Sequence, residues 1–149
     1  MKRGFRLFFK LFLWFGALSV LWVVFYKFVP VVYTPLMAIR SINGNADYET
    51  KHHWVPIEEI SKSLQLAVIC AEDQNFLRHS GFDYEAIKKA YAKNKTSKRL
   101  KGASTISQQT AKNVFLWPQR SWLRKGFEVY FTLLIENLWG KERILEVYL

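Results

Sequence analysis

Cysteine is almost missing from this 149-residue chain: Cys70 stands alone, which excludes an intrachain disulfide framework and a cysteine-rich zinc site. Histidine is scarce as well. With only His52, His53 and His79, and no H-E-x-x-H spacing, a dedicated metal cage is not expected. Seven glycines and four prolines are too few for a collagen-like repeat. A hydrophobic fraction of 50%, with 17% aromatic residues, is too high for disorder, because that much apolar surface buries itself. Acidic residues are absent between Glu85 and Glu128, where eleven Lys and Arg stand, more than the net charge of +10 for the whole chain. That stretch implies either an anionic ligand or a solvated basic face touching acidic lipid headgroups.

A long stretch with no charge of either sign lies near the N-terminus. Between Lys10 and Lys27 are 16 uncharged residues, and apolar residues continue on both sides to Tyr33. Sixteen helical residues span about 24 Å; the flanking apolar residues and two snorkelling lysines extend this toward a bilayer core of roughly 30 Å. A cleaved signal peptide is the rival reading, but residues 20 to 35 lack a small-x-small site, so an uncleaved membrane anchor is expected. Lys2, Arg3, Arg6 and Lys10 precede the span and only Lys27 follows closely, which places the N-terminus in the cytoplasm.

The pattern divides the chain into an anchor over residues 1–33, a polar linker over 34–53 with a turn at Asn43-Gly44-Asn45, and a domain over 54–149. The domain reads as mainly α. Ser61 caps a helix carrying Leu64, Ala67, Val68 and Ala71, and Asp83 caps one carrying Ala86, Ile87, Ala90 and Tyr91. A third helix starts at Ser104. A fourth, capped by Ser121, runs to Gly140, and a fifth starts at Lys141 with no closing signal at Leu149, so the domain is expected to be C-terminally incomplete. Cys70, in an apolar run, is expected to be buried.

Polar residues on the third helix make a stripe. Ser104, Gln108 and Lys112 recur every four residues with Thr105, Gln109 and Asn113 beside them, behind Gly102 at an open helix start. Such a stripe suits a phosphate or sugar, and equally an ordinary polar surface. Glu72-Asp73 ends an apolar helix at a turn containing Phe76, His79 and Gly81, where Asp73 and His79 are expected to brace the turn. Glu128, four residues after Arg124, has the spacing of a surface ion pair.

Taken together these segments resemble the motifs of the peptidoglycan glycosyltransferases (glycosyltransferase family 51). Glu72-Asp-Gln-Asn-Phe-Leu-Arg-His-Ser-Gly81 is similar to their ED-x-x-F-x-x-H-x-G, and Gly102-Ala-Ser-Thr-Ile-Ser-Gln-Gln-Thr-Ala-Lys-Asn113 to their G-x-S-T-I-x-Q-Q-x-x-K-N. Arg124-Lys-Gly-Phe-Glu128 resembles R-K-x-x-E, and Lys141-Glu-Arg-Ile-Leu-Glu-Val-Tyr-Leu149 resembles K-x-x-I-L-E-x-Y-L-N up to its final asparagine. Four ordered motifs are specific where one would be weak.

The resemblance implies a lysozyme-like helical domain, held outside the cytoplasmic membrane by the N-terminal helix, that polymerises lipid II into glycan strands with inversion. By that resemblance Glu72 is the general base, ionised yet partly desolvated. Lys112 and Arg120 stabilise the pyrophosphate leaving group with Arg124 and Lys125 in support. Glu128 orients these cations or helps hold a divalent cation, Mg or Mn. Ser104, Thr105, Gln108, Gln109 and Asn113 position sugar or phosphate. The implied partners are lipid II, the growing strand, the membrane, and cell-wall synthesis or division proteins, with no nucleic acid. The length and the lack of Ser-x-x-Lys favour a monofunctional enzyme. Two other classes remain open at this point, a noncatalytic basic module bound to lipid or wall polymer and a lysozyme-like hydrolase. The aromatic segment Phe115, Leu116, Trp117 and Trp122 either dips into the membrane interface or packs on the core.

Overall fold

The structure, a computed structural model, describes residues 2–43, 52–97 and 101–149; Gly44 and Asn45 of the expected turn, and Lys98 and Arg99 of the basic stretch, lie outside them. Among the described residues seven α-helices follow in order: α1 (Lys2–Phe28), α2 (Pro35–Asn43), α3 (Lys62–Glu72), α4 (Tyr84–Asn94), α5 (Ile106–Phe115), α6 (Trp122–Leu138) and α7 (Lys141–Tyr148), with a 3-10 turn at Ile57–Glu59 before α3. Among the described residues there is no strand, as a mainly α chain requires.

The capping residues act where the sequence puts them. Ser61, Asp83 and Ser121 each accept a backbone N–H three residues on, from Leu64, Ala86 and Arg124. The third domain helix departs from expectation, starting at Ile106 instead of Ser104. Thr105 is its cap: the Thr105 hydroxyl accepts the Gln108 N–H at 3.2 Å, and the Gln108 side-chain carbonyl accepts the Thr105 N–H at 3.1 Å.

The core forms where α5, α6 and α7 meet. Phe115 of α5 stacks on Phe131 of α6 with ring centroids 4.6 Å apart, and Ile106, Ile135 and Ile144, one from each helix, are fully buried. Residues 35–43, within the expected linker, form α2, which packs on α5.

α1 is long and apolar enough over Arg3–Phe28 to cross a membrane. One side of its C-terminal half is docked on the domain. Phe15 meets Phe127, the Ser19 hydroxyl lies 2.7 Å from that of Tyr130, and Trp22 packs edge-on to Phe115. The Trp139 indole donates to the Val23 carbonyl, and Arg143 donates to the carbonyls of Tyr26 and Val29. The Tyr26 carbonyl, in the last turn of α1, has no partner within the helix, and Arg143 supplies one.

α3 is not the buried rod that its apolar residues suggest. Leu64 and Leu66 are exposed and so is Cys70, which corrects the expectation of a buried thiol. The buried residue of α3 is Gln65, whose amide donates to the carbonyls of Ile57 and Ile60 and so closes the 3-10 turn. Helical spacing defines a face, but here Leu64, Ala67 and Ala71 of that face meet solvent and only Val68 packs against the core.

Candidate active site

Two adjoining clefts cross the domain where α5 emerges from the core. The larger, of about 780 Å³, runs between the end of α3, α4 and the start of α5; Glu72, Ser104, Gln109 and Lys112 are among its walls, as are Lys89, Lys93 and Lys101. The smaller, of about 370 Å³, lies between α2, α5 and the start of α6. It gathers five cationic side chains, Arg40, Lys112, Arg120, Arg124 and Lys125, around the single carboxylate of Glu128. Ser104, Gln109 and Lys112 line both, so the acid and the cations lie on either side of shared walls.

The first cleft is set by a buried network beneath it. Asp73, next to Glu72, is buried; its carboxylate accepts from His79 Nε2 at 3.0 Å and from the Ile106 N–H at 3.0 Å. His79 Nδ1 accepts the Gly81 N–H, which leaves the proton on Nε2 to be donated to Asp73. The Gly81 carbonyl accepts the Thr105 hydroxyl at 2.7 Å, closing the loop onto the cap of α5. Asp73 and His79 therefore brace the turn as expected. The α5 N-terminus, expected to be open for a ligand, is instead filled from within by Asp73, Thr105 and Gln108.

The polar stripe divides accordingly. Thr105 and Gln108 are buried in the cap, while Ser104 and Asn113 are exposed and Gln109 and Lys112 are half-buried. Gln108 still edges the smaller cleft. Gln109 Nε2 donates to Glu72 Oε2 at 3.0 Å. Glu72 is exposed, not desolvated by the protein, because α3 lies on the surface. Burial pushes the phenol of Tyr148 above its ordinary 10.0, and the nearby Glu72 carboxylate adds to the rise.

In the second cleft Glu128 is buried, not the surface ion pair that its spacing suggests. One carboxylate oxygen meets Arg124 Nη1 at 3.3 Å and the other meets Lys125 Nζ. Among the described residues, Arg124 Nε is the buried side-chain donor left without a partner. No group of three His, Cys, Asp or Glu side chains gathers among the described residues. With both Glu128 oxygens already engaged, the side chains do not fit a divalent cation such as Mg or Mn.

The profile of the transglycosylase family matches residues 38–149. The chain is 59% identical over 143 residues to the biosynthetic peptidoglycan transglycosylase of Bdellovibrio bacteriovorus, covering 94% of this chain and 57% of that one. It is 57% identical to the protein of the same name from Bacteroides thetaiotaomicron, covering 94% and 58%. Its identity to that of Pseudomonas aeruginosa is 51%, covering 100% and 66%. This chain belongs to the transglycosylase family. It spans about three fifths of the length of the first two relatives.

With the family comes the lysozyme-like helical fold that the motifs imply. Two residues beside the proposed site escape a reading of the sequence. Arg40 sits in a segment that reads as linker, and only the packing of α2 on α5 brings it to the cation cleft. Tyr148 stands within a matched motif, but only the packing of α7 on α5 places its hydroxyl beside Gln109. The aromatic segment divides: Phe115 and Leu116 are core, whereas Trp122 is 92% exposed and Leu123 67%.

Proposed function

We propose that this chain polymerises lipid II into glycan strands by inverting glycosyl transfer. Glu72 takes the proton of the acceptor 4-hydroxyl as that oxygen attacks the anomeric carbon of the donor. The bond from that carbon to the lipid pyrophosphate breaks, and the leaving group departs with its electron pair. Negative charge grows on the departing pyrophosphate. Lys112, Arg120, Arg124 and Lys125 therefore stabilise the transition state more than the ground state. Glu128 holds two of these cations in place. Ser104, Gln108, Gln109 and Asn113 border the space a sugar would fill, and the bound sugar supplies the desolvation that Glu72 lacks in the free protein.

The observation that supports this reading is Lys112 in the wall of both clefts, beside the acid in one and among the other cations in the second. A hydrolase acting with water has no pyrophosphate to neutralise, and five cations would serve no purpose there. The chain anchors by α1 in the cytoplasmic membrane, with its N-terminus inside and the clefts on the outer side. Trp122 and Leu123 face the lipid interface, where the substrate's own lipid stays embedded.

The test is polymerisation of labelled lipid II by the full chain. Glu72→Gln abolishes strand formation and retains lipid II binding; Lys112→Ala lowers turnover at least about 100-fold, the scale of a lost electrostatic contact. Lys95→Ala, outside both clefts, leaves turnover within about twofold. Undiminished strand formation by Glu72→Gln removes the reading.

A further inference from the structure

We propose that Gln109 and Tyr148 act as positioning residues for Glu72, with Tyr148 fixing which end of the Gln109 amide meets the carboxylate. The inference rests on the reading of Glu72 as the base, and it assigns Gln109 to that acid instead of to the sugar.

The geometry is a chain of three side chains from three helices. Glu72 closes α3, Gln109 lies on α5 and Tyr148 closes α7. Gln109 Nε2 donates to Glu72 Oε2 at 3.0 Å, and the Tyr148 hydroxyl approaches Gln109 Oε1 at 3.5 Å. A primary amide has two chemically opposite ends. Its NH₂ attracts a carboxylate and its carbonyl repels one, so a free amide beside Glu72 would serve in only one of its two orientations. A neutral phenol donating to the carbonyl end selects that orientation. The Tyr148 phenol stays neutral well past neutrality, since burial and the Glu72 charge both oppose its ionisation.

The result is an asymmetric base. Oε2 is tied to α5, whereas Oε1 accepts no hydrogen bond from the described residues, and Glu72 lines the larger cleft. A carboxylate fixed through one oxygen presents the other in a defined direction, as proton abstraction in a near-attack geometry demands. A phenylalanine in place of Tyr148 would fill nearly the same volume and leave the amide free to turn, so Tyr148→Phe isolates the orienting effect from packing.

Steady-state kinetics of the full chain on lipid II test this, with Gln109→Ala, Tyr148→Phe and the double variant. A positioning role predicts kcat lower by about 10-fold for Gln109→Ala and about threefold for Tyr148→Phe, each with KM within about twofold. In the Gln109→Ala background, Tyr148→Phe has no further effect, since both act through one amide. A Gln109→Ala variant that raises KM about 10-fold at unchanged kcat makes Gln109 a substrate ligand and overturns the proposal. Multiplying effects in the double variant overturn it as well. If the wild-type chain forms no strands, the proposed reaction fails and a separate readout decides the contact. The side-chain ¹H–¹⁵N resonances of Gln109 shift in both Glu72→Gln and Tyr148→Phe if the three groups are coupled; resonances unmoved in either variant refute the coupling.

Discussion

The carboxylate of Asp73 accepts the backbone N–H of Ile106 at 3.0 Å, so the residue next to Glu72 is also the anchor of the helix that carries Gln109 and Lys112. One buried acid thereby sets the register between the proposed base and one of the cations it works with. A buried carboxylate is costly unless its oxygens are engaged, and here His79 and the helix N-terminus engage both. The acid pair of the first motif thus has a divided role: Glu72 faces the cleft and Asp73 faces the frame.

Gly81 tests that frame. Its φ of +90° is one that other residues adopt with strain, and an added Cβ would stand 2.8 Å from Thr132 Cγ2 and 3.0 Å from Glu136 Cγ. Gly81→Ala is expected to destabilise the folded chain by about 2–3 kcal/mol. Because Gly81 also bonds His79 and Thr105, strand formation should fall even at temperatures where the variant stays folded. Thermal unfolding in detergent and the strand assay measure the two effects; an unaltered midpoint would contradict the stated contacts.

Glu128 is the counter-charge of a crowded cation cleft. Glu128→Ala leaves Arg124 and Lys125 without their acid, and the loss is expected to reach about 3 kcal/mol, moderated because Lys125 is 42% exposed. Denaturant unfolding at fixed salt checks this. Added pyrophosphate should restore part of the lost stability, since an anion bound to the folded state stabilises it by mass action.

Asp83 gives a pH signature. Its carboxyl is held below the ordinary 3.8, first by the Ala86 N–H and next by the Asn75 amide. A folded value below the unfolded one means that the stabilisation is full above the ordinary value and is lost as pH falls through the lowered one. The stability difference between the wild type and Asp83→Ala is expected to be about 1 kcal/mol at neutral pH. It should shrink below pH of about 4. Unfolding curves across that range measure it, and a difference independent of pH would show that charge is not involved.

The aromatic segment yields a contrast between Phe115 and Trp122. Phe115 is packed against Phe131, Trp22 and Trp139, so Phe115→Ala should cost about 3–5 kcal/mol. Trp122, almost fully exposed, should tolerate alanine within about 0.5 kcal/mol in detergent. In liposomes Trp122→Ala should slow strand formation if this side chain rests in the interface. Equal rates for wild type and variant in bilayers would leave Trp122 as plain surface.

Much of this molecule was legible from local rules. The caps Ser61, Asp83 and Ser121, the long apolar helix and the helical class of the domain follow from interactions among residues a few positions apart, which a linear string contains. The motifs also picked out many of the charged and hydrogen-bonding side chains that line the two clefts, because charge and hydrogen-bonding type belong to the residue itself. Packing decided the rest, since burial depends on what arrives from elsewhere in the chain. Periodicity marked an apolar face on α3 but not that Leu64 and Leu66 would meet solvent, and spacing linked Arg124 to Glu128 but not that Glu128 would be buried. The N-terminus of α5 was closed by Asp73 from 33 residues away, and Arg40 reached the smaller cleft, and Tyr148 reached Gln109, only through helices packed on α5. Those relationships are long-range distances, and a distance between remote residues exists only once the core of α5, α6 and α7 has formed.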